Sequence, residues 1–188
     1  MAPLFTKIKG TLLVGIVKLI KSNKDKNLEA HFTEADRRFL EERVVFSTWY
    51  PGVIVRHLIQ VIYEVIAKKN PEAARQWGRF AALTVIPIAY KTFTEMDTFE
   101  TLKSFREIFP SFVDSPWFKV TVEKPGQIEA RYLDPGDEPI FIPFAYMMGG
   151  WIEGLIEISK GKALEFSITQ EKVEGQNAVV YHGIYEKA

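Results

Sequence analysis

The chain has 188 residues, 47% hydrophobic and 26% charged, a composition that describes a folded globular protein and excludes an intrinsically disordered one. Its 24 basic side chains balance 24 acidic ones, so no strongly basic surface is available for general nucleic-acid binding. With no cysteine, the chain forms no disulfide, thiolate metal site, iron–sulfur cluster or cysteine nucleophile.

Ile8, Leu12, Ile16 and Ile20, spaced by four, predict an amphipathic first helix. The apolar run Leu12–Val17 behind Lys7 and Lys9 has the outline of a secretory signal. Lys18 interrupts it, however, and no small-residue cleavage site follows. The run also falls far short of the roughly 20 apolar residues that span a bilayer. The expectation is a cytoplasmic protein without an integral membrane segment. Thr33 ahead of Glu34-Ala35-Asp36 reads as an N-cap with an acidic first turn. Arg37/Glu41 and Arg38/Glu42 have the i,i+4 spacing of solvent-side pairs. Trp49-Tyr50-Pro51-Gly52 breaks this pattern and opens a helix that buries Val55, Leu58, Ile59, Ile62, Val65 and Ile66. Asn70-Pro71 starts another, running to about Lys91, with Trp77, Phe80, Ala81, Leu83 and Val85 available for burial and Pro87 bending or ending it. A shorter helix over Thr98–Ile108 is closed by Pro110.

Beyond residue 113 the period changes. Phe118, Val120 and Val122 alternate with Lys119, Thr121 and Glu123, predicting a half-buried strand over Trp117–Glu123. Lys124-Pro125-Gly126-Gln127 carries the type II turn signature, and Ile128–Leu133 returns as a second strand before a turn at Asp134–Asp137. A helix over Ala145–Ser159 turns Met148, Ile152, Leu155 and Ile156 inward. Strands over Leu164–Gln170 and Ala178–Tyr185 follow, joined near Gly175. The predicted fold class is α+β: N-terminal helices packed on one face of a C-terminal antiparallel sheet, hairpin–helix–hairpin, in a single domain over 1–188.

Catalytic motifs are absent: no phosphate loop, no zinc-protease helix, no nucleophile elbow and no dinucleotide fingerprint. His31, His57 and His182 are scattered, with no pair at i,i+3 or i,i+4, so neither a metal nor any other cofactor is expected. Glu153 and Glu157 lie one turn apart, but opposite an apolar stripe, and read as a solvated face. Gly149-Gly150 inside a helix points to close approach of another backbone, a ring or a ligand.

Four segments carry a resemblance: Lys9-Gly10-Thr11, Ser47-Thr48-Trp49-Tyr50-Pro51, Trp77-Gly78-Arg79 and Gly149-Gly150-Trp151-Ile152. Together they resemble an uncharacterised paralogous family best populated in myxobacteria. The element order is similar to the superfamily of haem nitric-oxide-binding domains, 4-vinyl reductase domains and TRAPP subunits. That resemblance implies a ligand-binding α+β fold with its pocket between helices and sheet. Haem binding does not carry over. The haem branch has a Tyr-x-Ser-x-Arg signature near the first hairpin, where this chain has Arg131-Tyr132-Leu133-Asp134, and an axial histidine in the region that is Thr98–Asp114 here.

The expected function is a non-enzymatic sensory or carrier domain for an apolar small molecule. The rival is a protein-interaction module, a homodimer or scaffold subunit without a ligand. Trp49, Tyr50, His57, Phe80, Met147 and Trp151 sit at element ends or near glycines and are the expected ligand-binding residues. Whether such aromatic residues line a pocket or fill a core stays open at this level.

Overall fold

A computed structural model describes residues 6–23, 27–114, 118–121, 124–133, 140–173 and 175–187. The helical half opens on a short ribbon that the sequence reading missed. Strand β1 (Lys7–Lys9) pairs antiparallel with β2 (Trp49–Pro51), placing Ile8 opposite Tyr50. Three-residue strands are too short for alternation to be legible. Ile8 therefore belongs to β1, and helix α1 (Gly10–Ser22) begins after it, burying Leu12, Leu13, Ile16, Val17 and Ile20. The ribbon also ties down the end of the helical half, since Lys9 N donates to Phe112 O at 2.7 Å and Asp114 N to Lys7 O at 3.0 Å.

Helix α2 (Glu34–Glu41) begins at the expected cap. Asp36 N donates to Thr33 Oγ1 at 3.2 Å, and Thr33 N donates to Asp36 Oδ2 at 2.7 Å. This reciprocal cap contributes about 1 kcal/mol. The expected Arg37/Glu41 and Arg38/Glu42 pairs give way to others. The helix stops at Glu41, and Arg38 reaches back to Glu34 while Arg37 reaches Glu29.

Helix α3 (Gly52–Val65) buries Val55, Leu58, Ile59 and Ile62, as its spacing predicts. Helix α4 (Pro71–Ala89) starts with proline in its first turn and ends two residues after Pro87. Its buried face consists of Ala74, Gly78, Ala81, Ala82, Val85 and Ile86. Phe80, expected to be available for burial, is instead 67% exposed, because the small residues take the side facing the rest of the molecule. Helix α5 (Thr98–Ile108) is capped by Asp97, whose Oδ1 accepts from Glu100 N at 3.0 Å.

The second half contains β3 (Phe118–Thr121), β4 (Gln127–Leu133), α6 (Ile142–Ile158), β5 (Gly161–Val173) and β6 (Gln176–Lys187). The sheet order is β3-β4-β6-β5, antiparallel throughout. Gly126 has φ +88°, which the turn between β3 and β4 requires and an L-residue with a side chain rarely adopts. Trp117, Val122, Glu123 and the turn Asp134–Asp137 lie outside the described residues, as do the side chains of Phe118 and Val120. On the inner face of the sheet, Ala130, Tyr132, Val179 and Tyr181 are buried, and Tyr181 Oη donates to Ala145 O of α6 at 2.7 Å. One cluster of buried side chains runs from Ile8 of β1 to Tyr185 of β6.

The closest helix packing is α4 on α6. A Cβ placed on Gly78 would lie 1.9 Å from Met147 O, and one on Gly150 would lie 1.9 Å from Arg75 O. Gly150 thus admits the α4 backbone, while Gly149 sits against Ile168 and the Tyr181 ring. Glu153 and Glu157 are not a solvated face. Arg75 Nε and Nη2 donate to Glu153 at 2.7 and 2.5 Å, and Arg79 Nε and Nη2 donate to Glu157 at 2.6 and 2.7 Å. The two forks repeat one turn apart on both helices.

Candidate functional site

Four helices enclose an apolar cavity of about 290 Å³. Helix α1 contributes Leu12, Gly15, Ile16 and Leu19, α3 contributes Ile62, α4 contributes Trp77, Phe80 and Ala81, and α6 contributes Met147. Small residues set its dimensions. A Cβ on Gly15 would come within 3.2 Å of Ala81 Cβ, so α1 and α4 approach where neither has a bulky side chain. Gly78 lets α4 rest on the Met147 carbonyl, which brings Met147 to the same place. Lys18 and Ser22, both exposed on α1, complete the lining, and Lys18 is its only ionisable group. Every lining residue comes from a helix. The cavity lies within the helical layer, whereas the resemblance implies a pocket between helices and sheet.

The six expected ligand residues do not converge. Phe80 and Met147 line this cavity. Trp49 lies on β2, 38% exposed, with Lys9 Nζ 5.5 Å from its ring centroid. Tyr50 is buried edge-on against Phe39, at 5.4 Å between centroids, and its Oη accepts from Val45 N at 2.8 Å. Trp151 is 2% exposed among the core residues of α6. His57 sits 2.6 Å by Nδ1 from Oδ2 of Asp36, the carboxylate that also caps α2. A buried Asp holding a half-buried His orients an imidazole, but Asp36's other partners are the Thr33 amide and hydroxyl, so the group closes on itself.

The other lining residues, Leu12, Gly15, Ile16, Lys18, Leu19, Ser22, Ile62, Trp77 and Ala81, are not among the residues expected from the sequence. Their signal was indirect: a glycine in the middle of α1 and an alanine on α4 leave space that nothing in the periodicity announces. A second concavity of about 440 Å³ lies over the sheet, with a mixed lining that sets Ile128, Phe166 and Ile184 beside Glu129, Glu165 and His182. Among the described residues no three His, Asp or Glu side chains converge as a metal site, and no helix is long and apolar enough to cross a membrane.

No family model matches the chain. No curated protein matches it either. Solved structures are similar over nearly its whole length. A mutant of the T. tengcongensis H-NOX domain gives a TM-score of 0.64 at 14% identity, covering 96% of this chain and 98% of that one. A structure concerned with modulating haem redox potential through protein-induced porphyrin distortion gives 0.65 at 14% identity, covering 96% of each chain. An oxygen-binding H-NOX domain related to soluble guanylate cyclases, in its oxygen complex, gives 0.63 at 14% identity, again over 96% of each. The chain has the H-NOX fold. At this identity the likeness establishes fold, and the chemistry rests on the residues themselves.

Those residues do not fit a haem. Where the haem branch has its axial histidine, this chain has α5 and the turn after it, carrying Phe105, Phe109 and Phe112. These rings pack on one another and on Tyr90 at centroid distances of 5.2 to 6.3 Å, so the space is filled with side chains. His57 is engaged by Asp36, and His182 faces Glu129 across β4 and β6 at 3.6 Å. His31 is exposed at the end of a 3₁₀ turn. An iron centre needs a free donor aimed into a pocket; none of the three lines the helical cavity, and His182, on the concavity over the sheet, faces the Glu129 carboxylate. Haem added to the protein is expected to give no Soret band that survives gel filtration. A retained band that a single histidine substitution removes would contradict this.

Proposed function

We propose that the protein is a non-enzymatic sensory or carrier domain that binds an apolar small molecule in the cavity between α1, α3, α4 and α6. The observation that carries this reading is the pairing of that cavity with Trp77 and the exposed Phe80 ring. Concave apolar sites with few polar groups are where small molecules bind, and a ring left largely in water gains by being covered. Phe80 and Met147 are the proposed contacts among the six residues singled out in the sequence. No ligand contact is proposed for Trp49, Tyr50, His57 or Trp151, which lie outside the cavity lining. The H-NOX neighbours, one of them an oxygen-binding domain, support a sensory role by analogy of fold. The four short motif blocks support placement with the myxobacterial paralogues and the wider TRAPP-containing superfamily, and we place the protein in the cytoplasm.

Naphthalene tests the reading. A cavity of about 150 Å³ admits benzene, so this one has room for two fused rings. Naphthalene is expected to change tryptophan emission saturably through Trp77. Leu19→Trp, which fills the cavity from its half-buried wall, should abolish binding measured by calorimetry while leaving the far-UV spectrum intact. A wild-type protein without a saturable response would overturn the reading.

Phe80 and Ile88, 67% and 71% exposed and two turns apart on α4, favour the second reading of a homodimer or scaffold surface. Native mass spectrometry of freshly purified protein separates the two, since bound small mass supports the first and a doubled chain mass the second. We also propose that residues 1–188 form one cooperative domain. Calorimetry should then give one transition, and two separately melting units would refute it.

A further inference from the structure

The sole charge on the cavity identifies the chemistry of its ligand. We infer that the cavity takes an anionic amphiphile, a monocarboxylate with an apolar body of about ten carbons, whose head group meets Lys18; this rests on the cavity being a small-molecule site.

Every lining residue inward of the mouth is apolar or glycine apart from the single Trp77 indole N–H, so the body of the ligand has almost nothing to hydrogen-bond. Lys18 alone carries charge. Lys18 borders the apolar lining and is exposed, a position from which a long basic side chain keeps its ammonium in water. Lys18 makes no ion pair among the described residues. This distinguishes it from the arginines of the neighbouring helices. Arg37 and Arg38 are paired with Glu29 and Glu34, and Arg75 and Arg79 with Glu153 and Glu157. Ser22, one turn further along α1, supplies a hydroxyl on the same side of the cavity.

The adjoining surface is neutral apart from Lys18. The shallow depression that shares Lys18 and Ser22 with the cavity is bordered by Lys21 and Arg43 against Glu41 and Glu42, two charges of each sign, so Lys18 itself supplies the net positive charge there. The C-terminal end of α1 opposes an anion, since carbonyls point outward there, but the Lys18 ammonium is a full charge and the helix end a partial one. A lone ammonium matches one negative charge, which favours a carboxylate over a doubly charged phosphate. Length follows from volume. At about 290 Å³ the cavity is about twice the size that holds benzene, room for two fused rings or a chain of about ten carbons.

Decanoate, decanol and decylammonium, each below its micellar concentration, test the inference by calorimetry on wild type, Lys18→Gln and Lys18→Glu. Because Lys18 is exposed, the preference is expected to be modest. Decanoate should bind about fivefold more tightly than decylammonium, the factor an exposed ion pair supplies. Lys18→Gln should level the two, Lys18→Glu should reverse their order, and high salt should erase the difference. Decanol binding should be the same in all three proteins. If decanoate and decylammonium bind wild type equally, or the preference survives Lys18→Glu, the head-group assignment fails while the apolar site stands. If decanol too fails to bind, the cavity is not a ligand site and both readings fall.

Discussion

Replacing Gly150 by alanine is expected to destabilise the protein by about 4 kcal/mol or prevent folding, although alanine is ordinarily the better helix former by about 1 kcal/mol. The added methyl would lie 1.9 Å from Arg75 O and 2.7 Å from Arg79 N. Both are backbone atoms of α4, so no side chain can rotate away. Carbon contacts are comfortable only near about 3.5 Å, so α4 and α6 would have to move apart by more than an ångström. That movement would loosen Gly78 from Met147 O and Gly154 from Ala82, and would stretch both Arg–Glu forks. Overpacking one site commonly costs 1–3 kcal/mol, and here the strain is shared along a whole helix pair. Gly175→Ala provides the contrast. Its φ of +82° costs a side chain about 1 kcal/mol, but nothing lies within 4 Å of the new methyl. Urea midpoints should therefore fall far more for Gly150→Ala than for Gly175→Ala, and a neutral or stabilised Gly150→Ala protein would refute the packing argument.

Much of this architecture is legible in the chain because it depends on local periodicity. The spacing of Val55, Leu58, Ile59 and Ile62 marked α3, and the type II turn signature at Lys124–Gln127 placed β4 after it. Long-range features left no local trace. Glu153 and Glu157 looked solvated because acids opposite an apolar stripe usually are. Their partners Arg75 and Arg79 lie 78 residues away. The clue available in hindsight is a shared spacing of four, with Arg75 and Arg79 beside Gly78 matching Glu153 and Glu157 beside Gly150 and Gly154. The cavity was harder still. Phe80 and Met147 could be singled out, yet the space between them exists because Gly15 and Ala81 are small, and an absence of side chain has no period.

Glu153→Ala is expected to cost about 3 kcal/mol, and Glu157→Ala only about 1 kcal/mol, although both remove the carboxylate from a two-pronged fork. Burial separates them. The Arg75 and Glu153 side chains are 20% and 11% exposed, against 38% and 33% for Arg79 and Glu157. The Arg75 guanidinium is held above its ordinary basicity chiefly by its hydrogen bonds to Glu153, working against the burial that would lower it. Without Glu153, that cation stays in a largely buried helix interface with only the more exposed Glu72, 3.2 Å from Nη1, for a partner, and cannot shed its proton, because arginine remains charged at any pH where proteins fold. Arg79 without Glu157 turns to water instead. For a chain of this length the larger loss should lower Tm by about 9 °C. Removing both members of the inner pair, Arg75→Met with Glu153→Leu, should recover most of it, since the penalty comes from the poorly compensated buried charge and apolar side chains of similar volume leave none. Equal losses for Glu153→Ala and Glu157→Ala would mean water reaches both forks alike, and the packing of α4 on α6 would then be looser than its glycines imply.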